Sequence, residues 1–561
     1  MDSQKAENEL NLALDASEEE RERALGLGEG YDPEEQTWEL IVKYSGSVER
    51  LRALAEQATE LSGGYAILIV RESMLSALEE LPEVEYIEKP RRLYFAQTEG
   101  KRASCMSAVQ RAPLRLTGRG VIVAVLDSGV DCRHPDFRKE DGTSRILALW
   151  DQTGEGLPPE GFHAGTEYTR EELNGALRRD APLPGDSSGH GTGVLSITAG
   201  NRGVAFESEL LVVKLAAARE NGFPRTTELM LGIEYVIRKA QRYGMPLALN
   251  LSFGNSYGSH TGKSLLETYI DEVSRQDRTV ICAGSGNEGT RAGHAAGNLR
   301  GVTGQRTEIS VAAYEPSLNL QVWKNYADRF DIYLVHPQGL TAGPLHTSPP
   351  AQRYLLGETE LLVYYGEPRP YSVNQEIFIE WIPKGSYLDA GIWSLRFVPK
   401  KIVDGSWQMW LPSGGVVGSA TRFLTPSPEN TLTIPSTASG VITVGAYDDR
   451  TDALADFSGR GQADSGLQKP DLVAPGVEIT AAAPGGAYQS RSGTSFAVPF
   501  VTGAAALLMQ HGIVDGHDRY LYGEKVKAYL RSGARPLPAF SARPNVATGY
   551  GKLCVEDSLG L

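Results

Sequence analysis

The feature that most constrains this chain is a recurring unit: a short, unbroken apolar run followed by a helical pattern. Val121-Ile-Val-Ala-Val-Leu126 ends in Asp127, and similar runs return at 210–215, 247–251, 280–283 and 441–446. A strand without polar alternation is buried on both faces, as in a parallel sheet. Helical spacing lies between the runs, at 193–199, 228–243, 264–274 and 496–510. Strands alternating with helices predict an α/β domain, a parallel sheet flanked by helices.

Two stretches break this rhythm. Residues 1–30 read as an acidic, frayed start; then 38–44 and 64–70 read as strands, 48–57 and 73–81 as helices, and 84–87 and 92–95 as extended. Together they predict a small α+β domain over 1–97. Residues 303–430 hold about seven short strand patterns between Pro/Gly turns, which predicts an inserted all-β, jelly-roll-like domain. The α/β domain is thereby split into 98–302 and 431–561, with 511–561 as a peripheral helical tail.

Charge and cysteine usage narrow the function classes. The chain has 55 basic and 70 acidic residues, net −15, and residues 1–97 hold 10 of the bases and 22 of the acids. The remainder is nearly neutral, so no nucleic-acid partner is expected. No apolar run approaches the ~18–20 residues of a membrane helix, so no membrane insertion is expected. The N-terminus has neither a basic n-region nor an apolar h-region, so the expectation is no Sec signal and synthesis in the cytoplasm. Cys105, Cys132, Cys282 and Cys554 form no CxxC pair. Neither a disulfide framework nor a cysteine zinc site is expected, and Cys132 and Cys282 read as buried structural thiols.

Three motifs fail on context. Gly284-Ser-Gly-Asn-Glu-Gly289 fits a dinucleotide loop in spelling, but no helix opens after it. Gly185-Asp-Ser-Ser-Gly189 fits a nucleophile elbow, yet a Pro-rich loop precedes it where a strand is required. Gly258-Ser-His-Thr-Gly-Lys-Ser264 is one residue short of a phosphate-binding loop.

Three others carry chemistry together. Asp127 ends an apolar strand in Val125-Leu-Asp-Ser-Gly129, which places a carboxylate at the C-terminal sheet edge where open α/β folds build their sites. His190 stands in Ser188-Gly-His-Gly-Thr-Gly-Val194, just before a helix, and Ser495 opens the apolar helix in Arg491-Ser-Gly-Thr-Ser-Phe-Ala-Val-Pro-Phe500. Each alone has an ordinary reading: a solvated strand end, a loop histidine, a helix cap. Pro499 is read as tolerated because first-turn donors have no partner inside the helix.

The order Asp, His, Ser is that of subtilisin-type enzymes. With Asp127-Ser-Gly, His190-Gly-Thr-Gly, Ser285-Gly-Asn-Glu-Gly289 and Gly493-Thr-Ser-Phe-Ala-Val-Pro499, residues 100–510 less the insertion resemble the subtilisin-like serine protease family (subtilases). The N-terminal domain resembles the family's propeptide, an intramolecular chaperone and inhibitor. Within the family, the long acidic propeptide, the β insertion and the missing signal are similar to the clostridial Csp germination proteases. Two positions depart from the family pattern: Gly193, where many members have a second histidine, and Phe496, where methionine is common.

The resemblance implies a serine endopeptidase acting on protein substrates without a cofactor. Ser495 is the nucleophile, His190 its base, and Asp127 the group that orients the imidazole. Asn287 and the Ser495 backbone N–H match the oxyanion hole. Asn250-Leu-Ser-Phe-Gly254 matches the substrate-pairing edge strand, so Ser252, Phe253, Gly254 and Tyr257 are the expected substrate-binding residues. Autocleavage is expected between Gln97 and Thr98, with the cleaved propeptide remaining bound, in part by its charge. No metal site is assigned; Asp131, Asp136 and Asp141 read as surface charges. A Csp-type relative would be spore-associated and would activate a spore cortex-lytic zymogen. The alternatives are a non-catalytic sensor or scaffold, or an intact triad held inactive by a retained propeptide.

Overall fold

The computed structural model describes all residues except 1–4, 25, 92–93, 96–102, 217–222, 277, 348–349, 369–371, 464–465 and 561. The chain divides into two compact units. One comprises Met1–Arg92, Asn255–Leu265 and Thr290–Asn430; the other comprises Leu93–Gly254, Leu266–Gly289 and Thr431–Leu561.

The second unit holds the α/β fold. Its nine strands are β1 (Ile122–Asp127), β2 (Ile146–Asp151), β3 (Thr166–Thr169), β4 (Glu209–Lys214), β5 (Leu247–Leu251), β6 (Thr279–Gly284), β7 (Ile442–Asp448), β8 (Ala453–Leu454) and β9 (Leu472–Pro475). β2, β4, β1, β5, β6, β7 and β9 run parallel in that order, and β3 and β8 pair antiparallel with β2 and β7. Every residue of β1, β5 and β6 is buried, which is why these strands lack polar alternation. Asp127 lies opposite Lys214 of β4, and Leu126 opposite Leu251 of β5, so the C-terminal ends of β1 and β5 stand together.

Among its helices are α1 (His190–Ala199), α2 (Thr226–Tyr243), α3 (Leu265–Val273) and α4 (Thr494–Met509). All of α4 is buried, as a helix apolar on every side must be. Together with the turn that follows it, the stretch Thr494–Val514 is long and apolar enough to cross a membrane, with a mean hydropathy of 1.5; the sequence reading missed this. It is a core helix here, with 83% of its apolar window buried inside the protein.

The C-terminal tail is only partly helical, at Gly523–Ser532 and Val555–Ser558. It is not peripheral, since Val526, Leu530, Leu553 and Val555 belong to the same apolar core as α4. Cys105 and Cys554 form a disulfide across 449 residues, which corrects the reading of four unpaired thiols. No spacing rule reveals so distant a partner. Cys132 and Cys282 are free and buried, and burial pushes both thiols up to about 12.

In the first unit the N-terminal segment builds a five-stranded antiparallel sheet from Tyr31–Asp32, Thr37–Tyr44, Gln57–Leu61, Tyr65–Arg71 and Val84–Glu88. From Lys5 onward its described residues are not frayed. Asn8–Asp15 is a helix, and Ser17 and Glu20 form a capping box on a second helix, Glu18–Arg23. The expected helix at 48–57 shrinks to Glu49–Arg52.

The insertion forms two antiparallel sheets of six and five strands, beginning at His294–Asn298, ahead of the expected boundary at 303. Trp381, Trp393 and Phe397 are buried in its core. Leu10, Leu12 and Ala13 of the first helix share an apolar cluster with Leu362, Tyr364, Phe378 and Ile382 of the insertion. That distant partner explains why so acidic a start is ordered.

Candidate active site

Asp127 is the last residue of β1 and His190 the first of α1, and both are fully buried, at 0% and 1% exposure. His190 Nδ1 and Asp127 Oδ1 are 2.7 Å apart. The Ser128 N–H donates to the same oxygen at 2.8 Å, which holds the carboxylate in place.

The loop before α1 is organised by Asp186, a buried residue that sequence reasoning missed. Its Oδ1 accepts from Ser128 Oγ (2.7 Å) and the Gly189 N–H (3.0 Å), and its Oδ2 from the Thr192 N–H (2.9 Å) and Thr192 Oγ1 (2.7 Å). Ser188 Oγ donates to Ser128 Oγ at 2.7 Å and accepts from the His190 N–H at 3.0 Å. Asp186 thus caps the helix that His190 begins and ties it to the turn after Asp127. The signal was present: an acid shortly before a glycine-rich helix start. The same residues also spell a nucleophile elbow, which masks the cap. Gly189 takes φ +69°, open mainly to glycine, as the chain turns into the helix.

Ser495 sits in the first turn of α4. Its Oγ donates to the Ser252 carbonyl at 2.8 Å, and Ser252 Oγ donates back to the Ser495 carbonyl at 2.8 Å. This second bond corrects the reading of Pro499, which lies inside the helix rather than in its first turn. Four residues ahead of it, the Ser495 carbonyl would accept the N–H that proline lacks, and the Ser252 hydroxyl takes that role. Ser252 Oγ itself accepts from Asn250 Nδ2 at 2.7 Å. Phe496, the next residue on α4, meets the His190 ring edge-on at 5.1 Å between centroids.

Asn287 lies in the loop after β6. Its Oδ1 accepts from the Thr494 N–H (2.9 Å) and Thr494 Oγ1 (3.1 Å), which turns its Nδ2 donors the other way. Gly286 takes φ +89°, and a Cβ there would come 2.5 Å from Thr433 Cγ2, so the close approach requires glycine.

Phe253 and Gly254 pair antiparallel with Phe95 and Tyr94. Strand addition of this kind is how an extended peptide is held. Here the chain's own segment, just before the expected cut, takes that place. Gln97 and Thr98 lie outside the described residues. Tyr257 belongs to the other unit, where its hydroxyl accepts from Asn319 Nδ2 at 3.1 Å.

Asp136, read as a surface charge, is buried and accepts from the Tyr488 hydroxyl at 2.8 Å; Asp141 is exposed. Among the described residues one group could gather about a metal ion, Cys554, Glu556 and Asp557. Its cysteine is in the disulfide and cannot serve as a thiolate ligand.

Comparison with known proteins agrees with this architecture. Residues 118–348 and 417–551 match the Subtilase family, and residues 4–91 match the Csp protease B prodomain. The chain is similar to the solved structure of the Clostridium perfringens CspB protease, at 33% identity and a TM-score of 0.76, covering 81% of this chain and 95% of that one. Serine protease AprX of Bacillus subtilis is 31% identical over 28% of this chain and 37% of its own length. Minor extracellular protease Vpr of the same organism is 24% identical over 71% of this chain and 46% of its own length. The chain thus spans less than half the length of these two curated relatives. It belongs to the subtilase family and carries a Csp protease B prodomain ahead of the subtilase domain.

Proposed function

We propose that this chain is a serine endopeptidase made as a zymogen, with Asp127, His190 and Ser495 as its triad. The observation that carries the reading is the 2.7 Å contact between His190 Nδ1 and the buried Asp127, on the helix that meets the serine helix through Phe496. A buried carboxylate on Nδ1 fixes the tautomer that leaves Nε2 as base and stabilises the imidazolium once it forms. For reaction the Ser495 hydroxyl must leave the Ser252 carbonyl and bond His190 Nε2; such bonds often tighten only when substrate is present. Asn287 Nδ2 and the Ser495 N–H then receive the oxyanion. Loss of the asparagine donor costs about 10²–10³ in kcat.

The pairing of Tyr94–Phe95 with Phe253–Gly254 favours a self-inhibited form whose first substrate is its own chain. Cleavage near Gln97–Thr98 would follow from a strand held in this way. A protein substrate would later take the same edge. A spore cortex-lytic zymogen as that substrate rests on kinship to the Csp proteases alone.

The test is to express the chain beside its Ser495→Ala variant and sequence the N-termini. The parent should begin near Thr98 and the variant remain uncut. Identical trimming of both would exclude self-processing.

A further inference from the structure

The hairpin that leads into the serine helix ends in a cation beside the site. Arg491 closes the strand Ala487–Arg491. Its Nη2 donates to the Ser188 carbonyl at 3.3 Å, two residues before His190. Its guanidinium carbon stands 5.9 Å from the centre of the Phe496 ring, which in turn meets His190. The Gln489 amide meets Nε and Nη2, while Nη1 is buried without an acceptor among the described residues. Burial pulls the guanidinium pKa below its ordinary value, and Asp186 and Asp127 oppose that pull. Both carboxylates are already engaged, one in capping α1 and the other with His190. Arg491 is therefore a half-buried cation whose two nearest carboxylates are committed to other partners.

Its place in the cleft follows from the chemistry. The acyl half of a substrate lies along Phe253–Gly254 and reaches the oxyanion donors at Asn287 and Ser495. The histidine that protonates the departing amine must face the other half. Arg491 bonds the histidine loop, and among the described residues no hydrogen bond ties it to the edge strand, which points to the leaving-group side.

We propose that Arg491 selects substrates with a glutamate or aspartate at the first or second position after the scissile bond. The inference rests on the endopeptidase reading and adds a substrate class to it. The chain's own junction, Gln97-Thr98-Glu99, has an acid at the second position after the expected cut. A competing account makes Arg491 a brace for the Ser188 carbonyl only, indifferent to substrate charge.

The test uses peptides identical except for Glu, Gln or Lys at the two positions after the cut. With the full chain, kcat/KM for Glu should exceed that for Lys about five- to tenfold at low salt and converge as salt rises. Arg491→Gln should abolish the preference, Arg491→Glu reverse it, and Arg491→Lys retain it. Peptides whose scissile bond is replaced by an uncleavable one should bind the parent chain in the same order. Peptides cut equally well whatever their charge, in parent and variants alike, would overturn the role of Arg491 and leave the endopeptidase standing. Charge-ordered binding with no cleavage of any peptide would uphold Arg491 and overturn the endopeptidase.

Discussion

Ser252 and Pro499 are coupled through an atom belonging to neither, the carbonyl oxygen of Ser495. Proline at 499 removes the helix donor for that carbonyl, and the Ser252 hydroxyl replaces it at 2.8 Å. Ser252→Ala should therefore leave a buried acceptor unpaired and cost about 1–3 kcal/mol. In a Pro499→Ala background the restored N–H can take the carbonyl, and the same change should cost measurably less. Urea unfolding of the four chains checks this; equal costs in both backgrounds would break the link. Such pairs mark the limit of reading residues in sequence. Asp127, His190, Ser495 and Asn287 were legible because each stands in a local motif at a strand end, a helix start or a tight turn. The side-chain role of Ser252 depends on a partner 243 residues away; for Asp186 the cap on α1 is local, and only its tie to the turn after β1, 58 residues before it, is hidden from the sequence.

The crossing of α1 and α4 joins the two departures from the subtilase pattern. A Cβ on Gly193 would come 2.9 Å from Phe496 Cε1, so the phenyl ring fills the space that a side chain at 193 would need. Gly193→His should overpack this crossing at a cost of about 1–3 kcal/mol. Adding Phe496→Met, a thinner and more adaptable side chain, should recover much of that loss. Thermal unfolding of the single and double variants decides the matter, and losses that simply add would show that the positions are independent. Elements were legible where apolar periodicity is local, as in β1, β4 and β5. They were obscure where burial comes from afar. The helix Asn8–Asp15 looked frayed because its apolar face meets the insertion, more than 300 residues later.

Across the whole molecule, stability should depend on acid through one buried cluster. Asp471 is fully buried among Lys469, Lys527 and Arg531, with Lys469 Nζ at 2.9 Å and Arg531 Nε at 2.8 Å. Burial alone would raise its pKa; the three cations and the Thr443 N–H more than reverse this and hold it at about 2. A depressed carboxylate stabilises the fold above its unfolded pKa of about 4, and the benefit disappears as pH falls toward 2. That amounts to about 2 kcal/mol. The parent's unfolding free energy should fall across this window, and Asp471→Asn should lower stability at pH 7 while flattening the fall; an unchanged slope would contradict the assignment. The acidic N-terminal segment suggested a grip by charge, and its meeting with the insertion holds both an apolar cluster and the Arg353–Glu20 pair, which salt can screen. Peptide hydrolysis requires an activated serine, which a fluorophosphonate probe tests most directly. One equivalent should attach to the processed chain at Ser495 and none to the His190→Ala or Ser495→Ala chains. A parent that stays unlabelled, or label that persists without Ser495, would contradict it.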